Sequence, residues 1–356
     1  MKPNPSKLWT AEDVLALSRD FQGACVLAAA AELDLFLPLA DGPLASDALA
    51  NRLHCDVRGL TVLLDALAAL RLLEKGENGY SLAPGIAATL TPGGGQSVLA
   101  MAQHQANCLH RWGQLARVVK TGRPADRSPS LLGEAGDQAA FIGAMDNISA
   151  PLADMVIRSV VPPEFTQVLD VGGASGTWTM AFLRACPAAT AVLFDLPHVM
   201  PMAERRLAAA GLRDRVRLVA GDFANDPLPA GADLAWVSAI VHQNSREQNR
   251  SLFAKVFTAL APAGRIAIRD ILMDHSHTSP LPGALFAVNM LVATEGGGTF
   301  TFDELRDDLD AAGFTQAAVL RRDAAMNSVV VARSDSMKSS SSMPGIAGKT
   351  RSGGGF

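Results

Sequence analysis

Apolar side chains recur along the first 95 residues at the three- and four-residue spacing of amphipathic helices. A first helix is predicted over residues 12–35. Ser46 and Asp56 are predicted to begin the next two helices, because an N-cap side chain accepts a hydrogen bond from a free amide of the first turn. Glycines within residues 74–80 then predict a tight hairpin. Three helices followed by a small hairpin indicate a winged-helix plan.

Residues 96–160 are predicted to form a second helical region. Apolar runs at 97–119 and 138–160 predict two helices, and the polar segment 122–137 lies between them. Both helices are so apolar that they must pack against a substantial surface. We therefore expect a helical connector that lines a pocket.

From residue 166 onward, short β-branched runs alternate with helical segments. This alternation predicts an α/β fold with a doubly wound, mostly parallel sheet. Two last runs, 317–321 and 328–332, are joined by a short link, so they predict a hairpin with one antiparallel strand at the sheet edge. The five earlier strand candidates are 167–171, 191–195, 216–220, 233–237 and 265–269.

Composition narrows the function classes. Hydrophobic residues make up 49% of the chain, so a large core can form, and the Ser- and Gly-rich tail 334–356 is predicted to be disordered. The net charge of -4 argues against nucleic acid as a partner. Four scattered cysteines and the absence of a long uncharged apolar run predict a cytoplasmic protein without a membrane span.

The pair His275 and His277 has only Asp274 beside it, so no metal site is expected.

A glycine-rich turn joins the first predicted strand to a helix in the segment V-L-D-V-G-G-A-S-G. Gly172, Gly173 and Gly176 let the backbone approach a ligand at the carboxyl edge of the sheet. A dinucleotide-binding turn has a similar pattern, but Asp170, just before the glycines, would repel a pyrophosphate. A cofactor with an ammonium and a sulfonium group gains from that carboxylate. The motif therefore predicts S-adenosylmethionine.

Two more carboxylates follow at the ends of the next two strands. Asp195 is placed to accept hydrogen bonds from both ribose hydroxyls, and Asp222 from the adenine amino group, with Phe223 stacking nearby. Aspartate also caps helices in such loops, but three at successive strand ends favour a binding site. Leu196, directly after Asp195, and Ser238, after the fourth predicted strand, complete the predicted cofactor-binding set.

With these residues in place, the chain resembles the small-molecule O-methyltransferase family, which includes caffeate-type and acetylserotonin-type enzymes and bacterial natural-product methyltransferases. The resemblance covers about residues 10–333. It implies a homodimer with a dimerisation domain over 1–95, and a catalytic domain over 161–333 whose active site is closed partly by the partner's N-terminal segment. The motifs that carry it are L-D-V-G-G, F-D-L-P-H-V, G-D-F, A-L-A-P-A-G and A-A-G-F.

In that family a histidine after the fourth strand is the catalytic base, and His242 occupies the matching position. A neutral imidazole is suited to remove a hydroxyl proton near pH 7. Asp270 matches the first of two family acids beside the base and is expected to orient the imidazole.

Three positions depart from the family pattern. Gln243 and Asn244 replace the acid and the tryptophan that usually follow the base. Thr299 stands where the second acid is expected, and Glu295, just upstream, is the alternative carboxylate.

Five side chains are predicted from their family positions to wall the acceptor pocket. Met290 and Thr294 lie on or just after the predicted helix 285–293, whereas Met145, His104 and Trp112 belong to the connector. Ordinary core packing explains Met and Trp at helical spacing equally well.

We expect transfer of the sulfonium methyl group to a small-molecule hydroxyl, phenolic or polyketide-like, with direct in-line attack. C- or N-methylation is an alternative, as is a cofactor-binding relative that transfers no methyl group. A winged-helix DNA-binding regulator is a third, but residues 1–90 hold seven Lys and Arg against eleven Asp and Glu.

Overall fold

A computed structural model describes residues 8–160 and 165–334. The predicted disordered tail lies outside these residues, except for Ser334. The N-terminal unit packs around one apolar core and has four helices before the hairpin, where three were predicted. Its elements are α1 (Ala11–Leu17), α2 (Phe21–Glu32), α3 (Ser46–Leu53), α4 (Val57–Ala69), β1 (Leu73–Gly76), β2 (Gly79–Leu82) and α5 (Ile86–Leu90).

The single helix predicted over residues 12–35 is wrong in two respects. The chain forms two helices, α1 and α2, and α2 ends at Glu32. At the break, the Ser18 hydroxyl donates to the Leu15 carbonyl at 2.8 Å. Such a side-chain bond competes with continuation of the helix.

Only one of the two predicted N-caps is present. The Asp56 carboxylate accepts from the Gly59 amide at 2.7 Å at the start of α4. Ser46 is instead the first residue of α3, and the cap position is held by Ala45, which makes no side-chain cap bond.

Alanine substitutions of Asp56 and Ser46 should therefore show that only the Asp56 side chain caps its helix. Asp56→Ala is expected to lower the free energy of unfolding by about 1 kcal/mol, because it leaves an amide of the first turn without its partner. Ser46→Ala is the matched control, with an expected change of less than about 0.5 kcal/mol. Urea unfolding of both variants checks this; equal losses would contradict the assignment.

The connector contains three helices: α6 (Leu99–Trp112), α7 (Leu115–Thr121) and α8 (Gly133–Val160). The predicted helix 97–119 is thus divided after Trp112, and α8 begins earlier than predicted. Two stretches, Ala11–Glu32 and Gly133–Val160, are long and apolar enough to span a membrane by length and composition alone. That is weak support for a span, because α8 also packs as a core helix against α6 and α9.

The remaining elements belong to the α/β domain. They are β3 (Gln167–Val171), α9 (Thr177–Ala185), β4 (Thr190–Asp195), α10 (Met200–Ala209), β5 (Val216–Ala220), β6 (Leu234–Ser238), α11 (Arg246–Ala259), β7 (Arg265–Asp270), β8 (Leu272–Met273), α12 (Leu281–Ala293), β9 (Phe300–Thr301), α13 (Phe302–Ala311), β10 (Thr315–Arg321) and β11 (Ser328–Arg333).

The predicted doubly wound sheet is confirmed, with strand order β10-β11-β7-β6-β3-β4-β5. The five strands from β3 to β7 pair in parallel, and β11 pairs antiparallel with both β7 and β10. The predicted edge hairpin is therefore present, with β10 outermost. Helices α8, α9 and α10 contribute to the core on one face of the sheet, and α11 and α13 to the core on the other. Because the parallel strands share a direction, their carboxyl ends meet at one edge.

Candidate active site

The glycine turn after β3 brings the backbone close to its neighbours. Gly172 has a φ of 68° and Gly176, the residue before α9, has a φ of 81°. A Cβ atom on Gly172 would lie 2.6 Å from Ile240 Cδ1. The turn therefore requires glycine for both its backbone conformation and its spacing.

Asp195 fastens this turn to the end of β4. Its Oδ2 accepts from the Ala174 amide and its Oδ1 from the Leu196 amide, each at 2.7 Å. The carboxylate is thus held in one orientation at the sheet edge. Burial raises its pKa, although the two backbone donors oppose that shift. The same carboxylate is available to ribose hydroxyls through its remaining lone pairs.

Asp170 lies beneath the glycine turn and not on its open side. It is 1% exposed, and its Oδ2 accepts from the Thr179 hydroxyl at 2.6 Å. Burial, with a smaller contribution from the nearby Asp195, raises its pKa to about 7. In this position Asp170 supports the turn from within the protein, and its contact with a cationic group of the cofactor stays a prediction. The open-side carboxylate next to the turn is Asp195.

The other predicted cofactor residues lie at the same edge. Asp222 accepts from Asn225 Nδ2 and the Ala224 amide, both at 2.8 Å, so its carboxylate is fixed in a local turn. Phe223 lies beside the glycine turn, since a Cβ atom placed on Gly172 would be 4.0 Å from Phe223 Cε1. Ser238, at the end of β6, accepts from Arg269 at 3.1 Å. Leu196 is 39% exposed beside Asp195.

His242 and Asp270 form a buried pair across the ends of β6 and β7. The imidazole Nδ1 lies 2.9 Å from each carboxylate oxygen of Asp270. The Ile271 amide donates to the same carboxylate at 2.8 Å. Because an ionised carboxylate only accepts hydrogen bonds, Nδ1 carries the proton and the lone pair of the neutral ring is on Nε2. The dyad predicted from the sequence is therefore brought together.

Asn244 and Gln243, which depart from the family pattern, form hydrogen bonds that stabilise the turn around His242. Asn244 donates to Asn249 Oδ1 at 3.1 Å, and the buried Asn249 donates to the Val241 carbonyl at 2.9 Å, which holds the turn that carries His242. Gln243 is exposed and donates back to the Ala239 carbonyl.

Neither candidate for the second acid contacts the imidazole. The buried Thr299 hydroxyl is directed at the Gly283 carbonyl, 3.4 Å away, and Glu295 is exposed. The carboxylate bonded to the base is that of Asp270 alone within the described residues.

Aromatic and apolar side chains of α12 lie beside the base and one turn beyond it. Phe286 of α12 contacts the His242 ring edge to face at 4.8 Å. Met290 is buried one turn further along α12, whereas Thr294 donates to the Met290 carbonyl and so closes the helix end. Trp112 Nε1 donates to Asn289 at 2.9 Å.

The connector contributes two further predicted pocket residues. His104 on α6 packs edge to face against Phe141 on α8, with ring centroids 5.2 Å apart. Burial lowers the pKa of His104, which favours the neutral imidazole. Met145 lies one turn after Phe141 on α8 and is half-buried.

Sequence reasoning missed a network that ties α8 to the glycine turn. Asp146 accepts from the Thr177 hydroxyl at 2.6 Å and pairs with Arg206 at 2.7 Å. Ser175 in the turn lies 3.1 Å from Thr177. Asp146 directly follows the predicted Met145, but its partners are at least 31 residues away, so local spacing gave no signal of them.

The His-x-His pair has separate partners. His275 lies 3.4 Å from Asp303, and His277 lies 3.5 Å from Glu304. Within the described residues no group of three His, Cys, Asp or Glu side chains is placed to hold a metal ion.

Comparison with known proteins identifies the family of the chain. Residues 131–315 match the O-methyltransferase domain, and residues 17–91 match the O-methyltransferase dimerisation domain. The chain belongs to the O-methyltransferase family. It is 34% identical to the tetracenomycin polyketide synthesis 8-O-methyl transferase TcmO of Streptomyces glaucescens over 313 residues, which cover 85% of this chain and 91% of the relative.

Other members of the O-methyltransferase family agree. The chain is 32% identical to the 3-hydroxy-5-methyl-1-naphthoate 3-O-methyltransferase of Streptomyces sahachiroi, over 83% of this chain and 87% of that one. The structure of PigF with SAH has a TM-score of 0.80 at 25% identity, covering 91% and 100% of the two chains. Human N-acetylserotonin methyltransferase in complex with SAM has a TM-score of 0.76, also at 25% identity, over 93% and 99%.

The chain is therefore an S-adenosylmethionine-dependent methyltransferase with a dimerisation domain that supports a homodimer. The geometry of the carboxyl edge, taken without the comparisons, also fits this cofactor. The glycine turn leaves a cradle that a Cβ atom would fill, and the Asp195 carboxylate is fixed beside it by two backbone donors. Gly172, Asp195, Asp222 and Phe223 are the residues that would hold it.

Filling the cradle should weaken cofactor binding. Gly172→Ala is expected to reduce the affinity for S-adenosylhomocysteine at least about tenfold, because the added methyl group collides with Ile240 at the turn and strains a backbone with positive φ. Gly211→Ala is the matched control, since Gly211 has a φ of 66° but open space around its Cβ position. Titration calorimetry of both variants measures this. Equal losses would show that the cradle is not the cause.

The buried Asp170 makes stability depend on pH. Its pKa is raised from 3.8 to about 7, so its stabilising contribution is complete below pH 3.8 and is lost as pH rises through 7. Between pH 5.5 and 8 the wild type should lose roughly 1–2 kcal/mol relative to Asp170→Asn, which remains neutral. Denaturant unfolding without cofactor at both pH values measures the difference. A difference independent of pH would contradict the buried, Thr179-bonded carboxyl group.

Proposed function

We propose that the enzyme methylates a hydroxyl group of a small aromatic molecule, phenolic or polyketide-like, with His242 as the general base. The observation that carries the proposal is the pair of 2.9 Å contacts between His242 Nδ1 and Asp270. These contacts leave Nε2 as a proton acceptor, with Phe286 beside the ring. A dyad of this kind is useful for an acceptor that must lose a proton during transfer.

The protein supplies alignment and proton transfer. Bound S-adenosylmethionine supplies a methyl group that is already activated by the sulfonium centre. His242 Nε2 takes the proton of the acceptor hydroxyl, and Asp270 stabilises the resulting imidazolium and keeps the ring in orientation. Apolar side chains of α6, α8 and α12 exclude water from the acceptor.

The relatives support an oxygen acceptor but also include nitrogen acceptors. TcmO and the naphthoate enzyme are named as O-methyltransferases, whereas OxyT of Streptomyces rimosus, 29% identical, is named as an N,N-dimethyltransferase. A neutral amine can attack before it loses a proton, so it has less need of a base. The intact dyad of His242 and Asp270 therefore favours a hydroxyl.

Replacing the base tests this mechanism. His242→Gln should lower kcat about 100-fold or more with a phenolic acceptor, because it removes proton transfer in the rate-limiting step. S-adenosylhomocysteine affinity, measured by calorimetry, reports whether the cofactor site remains intact. The control is His275→Gln, whose side chain is 84% exposed and lies outside the dyad. Full activity of His242→Gln would exclude general-base catalysis by His242.

The acceptor class is tested by a screen of phenols, naphthols and polyketide-like hydroxyls, with matched anilines as nitrogen acceptors. We expect a mass increase of one methyl group in the hydroxyl compounds, in step with S-adenosylhomocysteine. Faster methylation of the anilines would assign the enzyme to N-methylation.

We also propose that the partner's N-terminal segment closes each active site of the homodimer. The segment 9–21 exposes apolar side chains that a partner would cover, each of them more than half exposed: Trp9, Val14, Leu17 and Phe21. We propose a cytoplasmic location and free small molecules as substrates, without nucleic acid or membrane. The free cysteines of the described chain and the net charge of -4 support this.

A further inference from the structure

The chain leaves β5 through a tight turn, residues 221–226, which is called the β5 turn below. The Asp222 carbonyl accepts from the Asp226 amide at 2.7 Å, and the Asp222 amide donates to the Asp226 carboxylate at 2.8 Å. Phe223 of the same turn lies beside Gly172 of the glycine turn. The β5 turn therefore forms one wall of the cofactor cradle and carries two of the predicted cofactor residues.

The ammonium group of Lys255, on α11, holds the β5 turn from outside the cradle. Its Nζ donates to the carbonyls of Phe223, Ala224 and Asp226 at 2.9, 2.8 and 3.2 Å. An ammonium group has three donors and no acceptor, so the backbone of one turn uses all of them. Hydrogen bonds from a charged donor are stronger than those between neutral groups. Lys255 is therefore a clamp that fixes the β5 turn.

The helix that carries this clamp is a rigid support. Phe253 and Val256, close to Lys255 on α11, are fully buried in the core beneath the sheet. The same helix holds the turn of the catalytic base, because Asn249 donates to the Val241 carbonyl at 2.9 Å. The β5 turn and the base turn are thus both fixed to α11 by side-chain bonds to backbone carbonyls.

We propose that Lys255 is a positioning residue for the nucleobase end of the cofactor. It holds the β5 turn in the one arrangement in which the Asp222 carboxylate accepts from the adenine amino group. Lys255 acts through the turn, because its three donors are already used there. The inference rests on the predicted contact between Asp222 and adenine, and it is independent of the methyl acceptor and of His242.

Selectivity between two purine bases gives the proposal a measurable consequence. Adenine presents an amino donor to Asp222, whereas hypoxanthine presents a carbonyl oxygen, which a carboxylate cannot pair with. The penalty for hypoxanthine is large only if the carboxylate is held in place. When the clamp is removed, Asp222 can turn away from the carbonyl oxygen. Loss of Lys255 should therefore weaken binding of the adenine compound more than binding of the hypoxanthine compound.

The test compares S-adenosylhomocysteine with S-inosylhomocysteine, which differ only in the base. Their affinities for the full-length protein are measured by calorimetry. For the wild type we expect at least about tenfold tighter binding of S-adenosylhomocysteine. Lys255→Met keeps the apolar stem without a donor. It should weaken S-adenosylhomocysteine binding about tenfold and lower the ratio of the two affinities below about threefold.

Two further variants separate positioning from folding. Lys255→Arg keeps a charged donor group and should retain a ratio of at least about fivefold. Lys120→Met is the matched control, the same change at an exposed position of α7, and should keep both wild-type affinities.

Amide hydrogen exchange without cofactor reports the β5 turn directly. Exchange of the Asp222 and Asp226 amides should be faster in Lys255→Met than in the wild type, because their bonds lose the support of the clamp. Exchange in the core of α11, at Phe253 and Val256, should be unchanged, which shows that the variant is folded.

The outcomes distinguish the clamp from a residue that only stabilises the fold. Equal losses of affinity for the two ligands in Lys255→Met, or unchanged exchange in the β5 turn, would overturn the inference. So would a wild-type protein that binds both ligands equally well, since Asp222 would then not recognise the amino group. Each of these results leaves hydroxyl methylation untouched, and the activity of His242→Gln tests that proposal separately.

Discussion

Parallel pairing of β3 with β4 and β6 is the constraint on which the active site depends. It places the ends of these strands, together with β7, at one edge of the sheet. Side chains far apart in sequence then meet there: Asp195 fastens the turn after β3, and His242 after β6 reaches Asp270 at the end of β7. A one-residue change of register would turn alternate side chains to the other face and separate these groups.

Two aspartates at the carboxyl edge of the sheet have different surroundings and therefore different roles. Asp170 and Asp195 both end strands, but one is buried against Thr179 and the other is held at the open rim by two amides. Burial raises the pKa of both carboxyl groups, to about 7 for Asp170. Of the two carboxylates, that of Asp195 is therefore the one that is partly exposed at the rim. Asp170 mainly shapes the glycine turn.

Much of this could be predicted from sequence because local patterns carry the information. The glycine turn and the strand alternation each follow from residues within a few positions of one another, and the position of His242 follows from the resemblance to the family. The Asp146–Thr177–Arg206 network, the Asn249 support of the base turn and the Trp112–Asn289 bond could not be predicted, because each joins elements whose contact depends on the folded packing. The N-cap assigned to Ser46 failed for a smaller reason, a shift of one residue in the helix start.

The central claim is that the carboxyl edge presents the cofactor's methyl group to an acceptor next to His242. A crystal structure of the full chain with S-adenosylhomocysteine tests it most directly. We predict ribose hydroxyls within hydrogen-bond distance of Asp195, adenine beside Phe223, and the sulfur atom on the side of the glycine turn where His242 Nε2 opens into the acceptor space. A nucleoside bound away from Asp195, or a sulfur atom separated from His242 by the body of the protein, would contradict the account.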